Sequence, residues 1–254
     1  VFGGILVGIA IYKVPLKQTG GKPFLLLFRG SMGFLALLAY FYIMAHIPLG
    51  EAVTYNKTSP IFVAIFAYLL LNETLHKSAM LAIVIGFIGI VLVAQPQGGT
   101  FDKYDILGIL SGIGAALAYT SIRELRKYYD TRAIVMSFMG VGTIAPFFLM
   151  LATPYVKVSE EFDWMFASFV IPQGKEWGYV IAVGIFATVS QLLMTKAYEL
   201  TKAGIVGTIS YSNIVFALVI GVMLGDPIPG FWTLLGIILV IISGLLVALP
   251  KGIK

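Results

Sequence analysis

The stretch Gly50–Asn72, GEAVTYNKTSPIFVAIFAYLLLN, constrains this chain more than any other. It is long enough to cross a bilayer, yet its first half carries Glu51, Thr54, Tyr55, Asn56, Lys57, Thr58, Ser59 and Pro60. A lipid-facing helix cannot hold such a run, because each polar group in hydrocarbon needs an internal partner. A soluble helix would not follow it with PIFVAIFAYLLL. The pattern predicts a membrane helix with one polar half facing a cavity, bent at Pro60, where an amide hydrogen bond is missing. An ionisable residue at such a depth marks a candidate functional site.

Composition agrees with a membrane setting. The chain has 254 residues, 59% of them hydrophobic and 11% charged, with a mean hydropathy of +0.96. Soluble domains have about 45–50% apolar and about 25% charged residues. The expected class is an all-α integral membrane protein in the inner membrane, multi-pass, with the lipid bilayer as its partner. Cysteine is absent, which removes thiolate chemistry and Cys-based metal sites. The net charge of +5 sits in short loops between apolar runs, so nucleic acid is not an expected partner. The opening VFGGILVGIAIY would make only about 18 Å of helix against a core of about 30 Å. It also lacks the basic leader of a signal peptide, and it reads as the tail of an N-terminally truncated helix.

Eight full spans are expected after that fragment: Phe24–Ala45, Gly50–Asn72, Ser78–Ala94, Ile106–Ile122, Ala133–Ala152, Trp177–Ala197, Ala203–Gly225 and Gly230–Leu249. The FDWMFASFVIP portion of the long 153–177 connection is expected in the interface, where aromatic residues settle. Assigning Lys and Arg to alternating sides puts thirteen on one side and three on the other, with Lys57 inside a span. By the positive-inside rule the basic side, with Lys13–Lys22 and the C-terminus, is cytoplasmic.

The sequence also repeats. A shift of 153 residues places Glu73 on Asp226, Ser59 on Ser212 and Pro60 on Asn213; after one inserted residue, 90–96 falls on 244–250. The first copy runs inward and the second outward, so the copies are inverted and each contains an odd number of helices. Five fits, with repeats at 1–96 and 97–254. Internal symmetry of this kind is the architecture of secondary transporters, whose site lies near the midplane at the repeat interface.

The stretch HIPLGEAVTYNKTSPIFVAIFAYLLLNETL, together with AALAYTSIRELRKYYDTRAIVMSF, resembles the EamA-type members of the drug/metabolite transporter superfamily. The resemblance covers nearly the whole chain. It implies a ten-helix fold of two inverted five-helix repeats, of which about nine helices are present here, with both termini cytoplasmic. It also implies a central cavity between Phe24–Ala45, Gly50–Asn72, Trp177–Ala197 and Ala203–Gly225, and a small metabolite carried by alternating access. Lys57 departs from the neutral residue usual in similar relatives.

Each candidate site residue has a plain structural reading beside the functional one. Lys57 lies about six residues inside its helix, roughly 9–10 Å deep. Its stem either snorkels outward or its ammonium faces the cavity and meets an anionic substrate. Tyr55, Asn56, Ser59 and Pro60 are its neighbours, with Tyr211 and Asn213 in the partner copy and Gln191 on Trp177–Ala197. For these the plain reading is helix–helix packing. Arg29 is expected to snorkel to the cytoplasm, and Glu51 to favour a helix N-terminus. Glu73 and Asp226 either cap the helices that follow them or carry protons as a coupling ion. The motifs Gly4-x-x-x-Gly8, Gly108-x-x-x-Gly112 and Gly221-x-x-x-Gly225 allow close helix approach.

No cofactor or metal site is expected, and an enzyme is the weaker class. His46 and His76 lie in loops on opposite sides, and no metalloprotease, nucleophile-elbow or phosphate-loop motif is present. Tyr104-Asp105 with Gly225-Asp226 is only faintly like an intramembrane aspartyl protease. A passive channel or an assembly subunit is the remaining alternative. Coupled accumulation of a solute would separate a transporter from both.

Overall fold

The computed structural model describes residues 2–13, 19–71, 77–95, 101–157, 159–160, 162–166, 168–200 and 211–248. Among these, ten α-helices follow one another: α1 (Phe2–Lys13), α2 (Pro23–Met44), α3 (Leu49–Asn56), α4 (Ser59–Leu71), α5 (Lys77–Ala94), α6 (Lys103–Leu125), α7 (Thr131–Ala152), α8 (Glu176–Leu200), α9 (Ser212–Leu224) and α10 (Phe231–Ala248). The fold is all-helical, as the hydropathy pattern requires. Pro23–Met44, Lys103–Ile122 and Thr131–Tyr155 are each long and apolar enough to cross a bilayer. Shorter apolar helices cover Met80–Ala94, Glu176–Ser190, Ser212–Leu224 and Phe231–Leu246. The expected spans ending at Asn72 and Leu249 and beginning at Ala203 run partly outside the described residues.

Local chemistry explains where helices begin and end. α6 starts a turn before the apolar run because Asp102 and Asp105 form a reciprocal capping box. The Asp105 N–H donates to Asp102 Oδ1 (2.8 Å), and the Asp102 N–H donates to Asp105 Oδ2 (3.0 Å). Asp130 caps α7 by accepting the Arg132 N–H at 2.9 Å. α9 ends at Gly225, whose φ of 109° lies in the left-handed region, and the Asp226 N–H returns to the Gly221 carbonyl at 2.9 Å. Among the described residues between α7 and α8, two single 3₁₀ turns form, Thr153–Tyr155 and Asp163–Met165. Phe162, Phe169, Val170 and Ile171 lie exposed along this connection, as an interfacial segment would leave them.

The helices form two compact units. The first is drawn from Val1–Phe34 and Ser121–Leu200. In it, α1 packs on α7 and α8, and α2 lies against α7, where Gly30 meets the Ser137 carbonyl and Gly33 meets the Phe138 ring. Any larger residue at 30 would push on backbone. Arg29 is a correction to the snorkelling expectation. It is buried, 8% exposed, with its guanidinium 4.8 Å from the Phe138 ring centre. The small residues at 30 and 33 let α7 come close enough for that ring to cover the cation. At one end of this unit Lys22 and Lys127 both bond Glu124, at 2.9 and 2.6 Å.

The second unit is drawn from Leu35–Thr120 and Thr201–Lys254. α10 packs along α5 over its whole length. Gly89 and Gly236 meet backbone to backbone, the Ser243 hydroxyl donates to the Ala82 carbonyl at 2.6 Å, and Gln95 Nε2 donates to Thr233 at 2.6 Å. Shifting by the 154 residues that align 90–96 with 244–250 carries the contact Gly89–Gly236 onto Ser243–Ala82. Ile61 of α4 fills the space beside Gly86 on the same helix pair.

Candidate functional site

The polar stretch around Lys57 is a discontinuity, sharper than the bend expected from Pro60. α3 stops at Asn56 and α4 starts at Ser59, with Lys57 and Thr58 in a turn. Two causes act together. Pro60 has no N–H to give the Asn56 carbonyl, and its ring crowds that carbonyl. Thr58 turns both its N–H (3.1 Å) and its hydroxyl (2.6 Å) onto the Tyr55 carbonyl, which ends α3 at Asn56, before the proline is reached. Pro60 then occupies the first turn of α4, where a missing donor costs nothing.

Each side of α3 is occupied. Tyr55 lies in a notch that Gly108 and Gly112 leave on α6, and Thr58 fills the lower half of the same notch. Of the three small-residue motifs, this one and Gly221 of the third receive a neighbour closely. Gly4 and Gly8 meet only methionine side chains at about 4 Å, and Gly225 serves instead as a helix end. The Tyr55 hydroxyl donates to Asp105 Oδ1 at 2.5 Å. On its other flank α3 runs antiparallel to α9, with Gly50 against Leu218 and Leu49 beside Gly221. Asp226 accepts the Leu49 N–H at 2.7 Å. It therefore caps α3, a helix distant in sequence, rather than the helix that follows it. Glu73, its repeat counterpart, lies outside the described residues.

This register carries the discontinuity to the start of α9. Seven residues from Gly50 reach Lys57, and seven back from Leu218 reach Tyr211, about 10 Å along each axis. Tyr211 is the residue before α9, and the 153-residue shift pairs it with Thr58. In the first copy the break falls at Lys57 and Thr58; the stretch before Tyr211 in the second copy lies outside the described residues.

Around this joint the expected residues separate. Asn56, Lys57 and Pro60 are half-buried and share the open face of the broken helix, while Thr54, Tyr55, Thr58 and Ser59 are buried. The Lys57 ammonium has neither ion pair nor hydrogen bond among the described residues, Glu51 included. Asn213 is exposed on the first turn of α9. Tyr211 is 2% exposed, its ring set where a side chain on residue 244 would be, and its hydroxyl has no partner among the described residues. Gln191 lies on α8, but its side chain falls outside the described residues, as do Gly204, Gly207, Thr208 and Ser210.

Sequence reasoning missed the Tyr55–Asp105 and Leu49–Asp226 bonds. Only the three-residue spacing of Asp102 and Asp105 hinted that position 105 would be held in place. It also missed a stack beside α6, where His46 lies 4.3 Å from Tyr42 and 5.2 Å from Tyr104, with Lys103 bonded to the Tyr42 hydroxyl at 3.1 Å. Among the described residues no group of acidic residues and histidines could hold a metal ion.

A discontinuous apolar helix is a feature of solute carriers, and comparison with known proteins decides the family. The model of the EamA-like transporter family matches residues 1–95 and again 102–249. The chain belongs to that family. It is 35% identical over 240 residues to an uncharacterised transporter of Helicobacter pylori strain J99, covering 94% of this chain and 77% of that protein. It is 30% identical over 251 residues to the pseudopaline exporter CntI of Pseudomonas aeruginosa, covering 96% and 83%. A crystal structure at 20% identity superposes with a TM-score of 0.56, over 96% of this chain and 83% of that one, which shows the fold. The protein is a multi-pass membrane transporter of the EamA-like family, with a small molecule as its cargo and a lipid bilayer as its setting.

Proposed function

We propose that this transporter carries a small metabolite bearing an anionic group, by alternating access, through a site at the break between α3 and α4. The observation that carries the reading is the half-buried Lys57 at the α3–α4 break, whose ammonium has no partner among the described residues. A lysine near the centre of a membrane helix costs about 2.5–3.5 kcal/mol on insertion scales, and a substrate carboxylate or phosphate offsets that cost only while it is bound. Asn56 and Pro60 share the face of Lys57, while Ser59, Tyr211, Asn213 and Gln191 are assigned to the site from the sequence pattern alone. The N-terminus of α4 points at the break and adds a positive end.

The proposed architecture is two inverted repeats, 1–96 and 97–254, in the inner membrane with the C-terminus in the cytoplasm. The matched contact pairs on α5 and α10 support a twofold relation between the repeats. Similarity to an exporter makes export the direction to test first. Protons are the proposed coupling ion, and Glu51 is their candidate carrier. It is half-buried, lines a recess with Pro48 and Asp226, and has no hydrogen bond from its carboxylate among the described residues.

A thermal-shift panel of amino acids, carboxylates, phosphates, nucleosides and amines tests the ligand class. A ligand present at about 100 times its Kd stabilises the folded state by about 2.7 kcal/mol. Anionic members are expected to stabilise the native protein and Lys57→Arg, and to leave Lys57→Met unmoved. An anion that stabilises Lys57→Met as well as the native chain would remove Lys57 from the site.

A further inference from the structure

We propose that the Tyr55–Asp105 hydrogen bond is a latch that holds the half-helix α3 against α6, and that α3 swings on the Lys57–Thr58 joint when it releases. The proposal rests on the alternating-access reading above. α3 has eight residues, too few to hold a position by helical propensity alone, so its placement is set by its contacts. On the α6 side these come down to one side chain. The Tyr55 ring lies in the Gly108–Gly112 notch, and its hydroxyl ends on a carboxylate. The acceptor is already fixed, because Asp105 is tied to the Asp102 N–H through its other oxygen.

The joint at the far end is soft by construction. Lys57 sits at φ −75° and ψ 1°, and Pro60 has no N–H to bridge the two half-helices. The notch is lined by glycines, so the ring can leave it without displacing a side chain. Asp226 ties the Leu49 end of α3 to the end of α9, and α3 packs along α9, so the two swing together and Tyr55 is the contact that releases. Tyr55 is thereby a positioning residue for Lys57 rather than a substrate contact.

The test uses the natural absence of cysteine. Ala64 is half-buried one turn beyond Pro60 on the open face of α4, so Ala64→Cys reports whether the joint is reachable. In sealed vesicles of both orientations a membrane-impermeant maleimide is expected to label it from each side. Hydrogen bonds to charged groups are worth enough that losing one shifts such an equilibrium about tenfold. Tyr55→Phe should therefore raise the rate from the α3 side by about that factor and lower it from the other. Asp105→Ala should do the same while keeping the Asp102 cap on the N–H of residue 105. Labelling from both sides at rates that neither variant changes would overturn the latch and leave alternating access standing. Labelling from one side only, in every variant, would overturn alternating access and the latch with it.

Discussion

Lys57 has no charged partner among the described residues, and Glu124 shows the opposite case. Hydrogen bonds from Lys127 and Lys22 hold the Glu124 carboxyl down to about 2, and Lys22 is raised in return. Because the folded value of Glu124 lies below the ordinary 4.5, its contribution is present above that pH and is lost as pH falls toward about 2. Titration of the Glu124 carboxyl by NMR should give a midpoint near 2, and a midpoint near 4 would mean that the link is open. Packing makes an equally specific demand at Gly244, where the Tyr211 ring takes the place of a side chain. Gly244→Ala should cost about 1–3 kcal/mol by overpacking, read as a lower Tm in detergent. Single-residue chemistry was only partly legible in the sequence. Polar residues in an apolar span announced Lys57 and Asn56, whose open face needs no partner to be recognised. Tyr55 looked the same in sequence but is spoken for by Asp105, fifty positions away, and no local pattern carries that distance. Arg29 misled for the same reason, since Phe138 lies far along the chain.

Among the elements, the broken helix is where sequence and structure differ most instructively. Pro60 was enough to place an interruption, but its position depends on the Thr58 hydroxyl choosing the Tyr55 carbonyl. Threonine has several acceptors within reach in a helix, so the choice follows packing in the Gly108–Gly112 notch. Helix starts governed by short spacings, such as Asp102 with Asp105, are legible because both partners sit within one turn. Pro60→Ala restores the missing donor and relieves the crowding, so α3 and α4 should merge. Amide exchange over 57–61 is then expected to slow by about tenfold, in line with one recovered hydrogen bond, while transport falls. Unchanged exchange with full transport would show that the discontinuity is incidental.

For the whole molecule, the charge pattern and the sequence repeat motivate the proposed architecture of two inverted repeats. The contact pairs Gly89–Gly236 and Ala82–Ser243 add a structural signal. The proposed sidedness predicts that an impermeant thiol reagent added outside labels Lys157→Cys and spares Arg126→Cys; both positions are exposed. The reverse pattern would invert the topology. The central claim, that Lys57 is the anion-binding centre of the carrier, is tested most directly by transport in proteoliposomes with the ligand found by thermal shift. Lys57→Met should reconstitute with native Tm and lose transport by at least about a hundredfold, in keeping with a charge-assisted contact of about 3 kcal/mol, while Lys57→Arg keeps measurable flux. Native rates and KM in Lys57→Met would contradict the account.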